Sequence, residues 1–154
     1  MTDKFDFGDG LVAAHKHVNG GGWVADTATV ADSAYVGPHA TVSEYAEVSG
    51  KAKVSDYAYV FGNAKVFGNA WIYGKSEVYG CAMVLGYAKI SGDAKVCGDA
   101  VVYGDAMIYG HSKVFGRADI GESVWVAGYS TVCGNAILSG KARIFGGVEN
   151  GQSS

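Results

Sequence analysis

Four histidines, three cysteines and one run of three glycines are the groups in this 154-residue chain that could do chemistry or hold a ligand. An imidazole works as a general base only where it reaches the proton it removes, in a pocket that keeps water out. His15 and His17 fall on one side of an extended segment and could share a metal ion, but two ligands are too few for a zinc site. The run Gly20-Gly21-Gly22 could cradle an anion with its backbone N–H groups. The Lys and Ser/Thr of a phosphate loop do not follow it, and a tight turn needing positive φ accounts for the same glycines.

A six-residue period positions these groups. From Ala28 to Ala142 every sixth residue is Ala or Ser, with Val124 the exception, and two residues after each comes Val, Ile or Leu, from Val30 to Ile144. Residues two apart on an extended strand point the same way, so each small–aliphatic pair faces inward and the residue between them faces out. Gly then sits two places after most of the aliphatics, often followed by Asn or Asp, as at Gly62-Asn63 and Gly98-Asp99. These residue types accept the backbone of a bend. Each hexad is therefore one short strand and one corner, and the period marks a solenoid.

Three hexads closing a triangle of eighteen residues predict a left-handed parallel β-helix of six to seven coils. At a strand spacing of ~4.8 Å the prism is roughly 32 Å long. Residues 1–23 read as an N-terminal cap and Gly-rich lead-in, with Phe5, Phe7, Leu11 and Val12 folded over the first coil. Residues 24–146 form the β-helix, and 147–154 a frayed, flexible polar tail.

The chain resembles the hexapeptide-repeat proteins, whose usual motif is aliphatic, Gly, two variable residues, a small residue and one variable residue. Hexads such as Val60-Phe61-Gly62-Asn63-Ala64-Lys65 resemble a V-x-G-N-A-x subgroup labelled as transferases and found in phage and bacterial proteins of unknown role. One departure is that Gly directly follows the aliphatic only at Gly37 and Gly121. The resemblance implies the β-helix fold and a homotrimer of parallel prisms. It also implies, as one activity, acyl transfer with a histidine base, for which His111 is the candidate beside Tyr109 and Lys113. His39 occupies the equivalent corner four coils away, so the two do not converge. Twenty hexads without an insertion leave no projecting loop to wall an acceptor pocket, and functional sites on solenoids usually ride on such insertions. Zinc-dependent carbonic anhydrases of the same family need three converging histidines, which this spacing does not supply.

Stacking residues eighteen apart sorts the outward positions into faces. The first runs Tyr35, Lys53, Trp71, Lys89, Met107, Trp125, Arg143, and the second Thr29, Glu47, Lys65, Met83, Val101, Asp119, Ile137. The third, Thr41, Tyr59, Glu77, Lys95, Lys113, Thr131, is polar. Tyr35, Trp71, Lys89, Met107 and Trp125 are thus the candidate binding face or oligomer interface, flanked at the corners by rings such as Tyr73 and Tyr109. A net charge of −3 argues against non-specific nucleic-acid binding. No long apolar run suits a membrane span, and Met1–Asp6 lacks a secretory leader's character, so a cytoplasmic location is expected, or a virion-associated one for a phage protein. Cys97 and Cys133 lie on one ladder two coils apart, roughly 9.6 Å, beyond the ~7 Å reach of a disulfide. The expectation is a rigid, non-catalytic binding module without cofactor or metal, recognising a protein, glycan or small ligand. Acyl transfer is the alternative.

Overall fold

The computed structural model describes residues 3–151. Its body is the solenoid that the six-residue period predicts. Twenty two-residue strands follow one another at hexad spacing, from β4 (Thr29–Val30) to β23 (Arg143–Ile144). Away from the ends of the prism each pairs in parallel with the strands eighteen residues before and after it, as Trp71 stands opposite Lys53 and Lys89. Two seven-stranded sheets and one ten-stranded sheet form the three faces, giving about seven coils consistent with a left-handed β-helix.

The core follows from the small–aliphatic alternation. Ile72, Ile90 and Ile108 stack without solvent exposure behind the first face, and the alanines two residues before them are equally buried. Ser76, Ser112 and Ser130 replace alanine at fully buried positions. Their hydroxyls donate to the carbonyls of Tyr73, Tyr109 and Ala127 at 2.6–2.8 Å, so no polar group is left unpaired there.

Both ends differ from the expectation. Lys4–Asp6 (β1) and Leu11–Lys16 (β2) form an antiparallel hairpin that adds to the edge of Trp23–Ala25 (β3), extending the third face. Leu11 and Val12 are exposed instead of folded over the first coil, because the hairpin continues the sheet edge and does not cross the end of the core, with the two side chains on its opposite faces. Phe5 does pack, stacked on Trp23 at 5.0 Å. His17 is the buried polar group of the lead-in, with Nε2 2.8 Å from the Ala34 carbonyl oxygen. At the other end Val148–Glu149 (β24) pairs in parallel with Thr131–Val132 (β21), so ordered pairing runs into the segment expected as a tail. Thr131 stands opposite Val148, one residue short of the usual eighteen, because the hexad rhythm lapses after Ile144. Residues 152–154 of that expected tail lie outside the described residues.

One corner ladder carries a pH-dependent contribution. The Tyr79 phenol is pushed up to about 12, first by its hydrogen bond with Cys97 and then by burial. Burial also raises Tyr59, against the opposing effect of its 2.6 Å hydrogen bond with Ser43. An unfolded phenol ionises near pH 10. The folded state therefore keeps protons that the unfolded chain releases, and stability is present below pH ~10 and lost as pH rises through the folded value. Phenolate absorbance of the folded protein should show Tyr79 ionising near pH 12, and Cys97→Ala should move that transition down. An unchanged transition in Cys97→Ala would refute the assigned cause.

Candidate functional site

The outward residues of the first face stack one per coil from Tyr35 to Arg143. Alongside runs a corner ladder two residues earlier in each hexad, containing Lys51, Asn69, Tyr87, Asp105, Ser123 and Lys141. Between the two ladders lies a shallow groove of about 760 Å³. Every strand lining it is paired on both sides except Arg143–Ile144, which ends the sheet, so the floor is a rigid, hydrogen-bonded surface.

The groove's two indoles are held by their neighbours. Trp71 Nε1 donates to Ser55 Oγ at 2.8 Å, and the Tyr73 ring leans against the indole with centroids 4.4 Å apart. The Lys53 ammonium lies 5.8 Å from the Trp71 ring centre. Arg143 places its guanidinium 4.1 Å from the Trp125 ring centre and donates to the Ser123 and Lys141 carbonyls at 2.9 and 3.0 Å. Such cation–ring contacts orient both partners. The indoles stand three coils apart, roughly 14 Å at the strand spacing. Lys89 and Met107 fill the interval.

The number of cations gathered together separates this face from the others, where, among the described residues, Lys113 is the unpaired lysine. Lys65 on the second face reaches Glu47 one coil away at 3.9 Å, and Lys95 on the third reaches Glu77 at 3.5 Å. Five cations line the groove, Lys51, Lys53, Lys89, Lys141 and Arg143, against the single carboxylate of Asp105. Among the described residues none of the five is in an ion pair. A cluster of like charge beside apolar rings in a chain of net charge −3 is a local field that attracts anions.

Four of the expected binding residues, Trp71, Lys89, Met107 and Trp125, meet in this groove. Tyr35 shares their sheet but lies toward the N-terminal end, its ring close to the backbone of Gly20 and Gly37. Tyr73 and Tyr109 lie past the strand ends at the next corner, where only Tyr73 is in ring contact with a groove indole. Sequence reasoning passed over Lys51, Tyr87 and Lys141. Counting in eighteens from Lys51 finds all three, but nothing in the period says that this corner borders a groove.

The other candidates are elsewhere. Gly20 and Gly21 have φ of 112° and 79°, as a tight lead-in requires. The Gly21 and Gly22 N–H groups are already donated to the His17 and Val36 carbonyls, which removes them from any anion cradle. His111 is half-exposed on a corner, its ring stacked on Tyr129 at 4.8 Å and its Nδ1 3.4 Å from Asp93 Oδ2. His39 stacks likewise on Tyr57 at 5.3 Å. Among the described residues no three His, Cys, Asp or Glu side chains gather around one point. A smaller hollow of about 290 Å³ lies between the hairpin and the first coils, bounded by Phe7, Val12, Tyr45 and Tyr59. No known family model, curated protein or solved structure matches the chain.

Proposed function

We propose that this protein is a rigid, non-catalytic binding module that recognises its ligand in the groove of the first face. The observation carrying this reading is that five cations gather along one groove without a carboxylate partner among the described residues, whereas on the other two faces Lys65 and Lys95 are paired with Glu47 and Glu77 and Lys113 stands unpaired. Leaving like charges unpaired beside two indoles contributes little to folding, whereas a bound partner gains from both. A homotrimer is part of the proposal, but not through this face. Apposing copies of it would bring Lys53, Lys89 and Arg143 against one another. The second face, where Met83 and Val101 stack on one side and Ile137 is exposed at its end, suits subunit packing better.

The competing reading is acyl transfer, which the V-x-G-N-A-x resemblance suggests and for which Asp93 beside His111 is the favourable feature. Against it, His111 stands on an open corner away from the groove. A combined glycan and peptide array, read with fluorescently labelled protein, separates the two. Trp71→Ala should weaken the array signal about tenfold or more, the usual consequence of losing a central aromatic anchor. His111→Ala should leave it unchanged. Thiol release from acetyl-coenzyme A with any array hit as acceptor, abolished by His111→Ala, would refute the proposal.

A further inference from the structure

Resting on that reading, we infer that the groove takes a linear acidic polysaccharide laid along the prism axis, its anionic groups on Lys53 and Lys89 and a sugar face against Trp71, with the Arg143-covered Trp125 at the far end. The groove's chemistry selects this occupant in three steps.

The charge comes first. Five cations against Asp105 require an anion, and they are spread along the groove instead of gathered at one point. From Lys53 to Arg143 is five coils, roughly 24 Å, so the complementary ligand is extended and carries repeated negative groups.

The rings come second. A pyranose has one face of C–H bonds and a rim of polar groups, so it suits an indole bordered by ammonium groups. Trp71 offers the exposed ring: it is 36% exposed, pinned by Ser55, and has the Lys53 ammonium 5.8 Å from its ring centre. Trp125 is the more enclosed end, covered by the tethered guanidinium of Arg143.

The backbone comes third, and it disfavours the other polyanions. An extended acidic peptide gains its affinity at a sheet from main-chain bonds along an open edge. The strands bearing Lys53, Trp71, Lys89, Met107 and Trp125 are all interior to their sheet and offer none. Single-stranded nucleic acid is bound by stacking successive bases on closely placed rings in a strongly basic groove. Here the ladder's indoles are roughly 14 Å apart, and the whole chain carries a charge of −3.

The test is titration of the full chain with oligogalacturonate, a heparin oligosaccharide, a neutral cello-oligosaccharide, oligoglutamate and oligothymidylate, followed by tryptophan fluorescence and calorimetry. The expected result is that at least one acidic oligosaccharide binds, with affinity falling as salt is raised, and that the neutral sugar binds at least tenfold more weakly. Lys53→Glu with Lys89→Glu should weaken binding at least tenfold, and Trp71→Ala by a similar factor, with unfolding midpoints close to that of the parent chain. Failure of both acidic sugars to bind overturns the inference, as does equal binding of the neutral sugar. Tighter binding of oligoglutamate or oligothymidylate also overturns it. In those last two cases a tenfold loss in Trp71→Ala would still leave the groove as the binding surface. If the groove variants change no interaction on the array either, the proposed function fails with it.

Discussion

Gly98→Val is expected to destabilise the prism by about 3 kcal/mol or more. Gly98 has φ of 66°, in the left-handed region where a side chain costs ~1–2 kcal/mol and a β-branched one is worst placed. A Cβ there would lie 2.8 Å from the Gly116 nitrogen and 3.0 Å from its carbonyl oxygen. Those are backbone atoms held in the parallel ladder, so relief requires moving the next coil, an overpacking cost of ~1–3 kcal/mol. Two companion variants isolate the contributions. Gly21→Ala has φ of 79° but open space around its Cβ, so it should cost only the conformational part, about 1 kcal/mol. Gly98→Asp should fall between them. Asp56 and Glu122 already occupy corner positions at φ of 56° and 54°, and their carboxylates accept the Gly74 and Gly140 N–H groups one coil on. Denaturant unfolding followed by circular dichroism gives all three values. An unchanged midpoint for Gly98→Val would show that coil contact at the corners does not limit the fold.

Ile90→Ala is expected to cost about 3–4 kcal/mol, within the 2–5 kcal/mol range for truncating a buried isoleucine. Ile90 is fully buried, with Ile72 and Ile108 as its ladder neighbours one coil on either side. A globular core can partly collapse around such a hole. Here the neighbours are fixed at the strand spacing by hydrogen bonds on both sides, so the cavity persists. The same truncation at Leu138, part-exposed on the last coil, should cost much less. Coils contact only their neighbours, so a central lesion also weakens coupling between the two halves of the prism. The Ile90→Ala transition should broaden, and probes of Trp23 and Trp125 should cease to coincide. A loss below about 1.5 kcal/mol with coincident probes would mean that the coils relax more freely than their ladders suggest.

These two results concern the scaffold, and the groove depends on it. Trp71, Lys89 and Trp125 are on a common line only because each coil repeats the last without insertion. A displaced coil near Gly98 would shift the upper indole relative to the lower one. Ligand affinity should therefore fall in Gly98→Val even where the chain remains folded.

Much of this was legible in the sequence because the fold is itself periodic. Adding eighteen to a residue number moves one coil along the axis, so the three faces, the buried small–aliphatic pairs and the Trp71–Trp125 ladder could be read directly. Where the period lapses, that mapping fails. In residues 3–22 the Asp9-Gly10 pair marks a tight hairpin turn but not whether the hairpin covers the core or joins a sheet edge, and the loss of rhythm after Ile144 does not say that pairing resumes one residue short at Val148. Nor does the period say which way a long side chain reaches. Lys65 turns toward Glu47 whereas Lys53 lies over Trp71, a choice set by what stands on the adjacent coil within reach of each ammonium. Strands, corners and the order of residues on each face follow from the hexads alone, since they are one local geometry repeated. That five cations gather unpaired along one groove depends instead on distances between side chains and corners of neighbouring coils, which the folded prism alone sets.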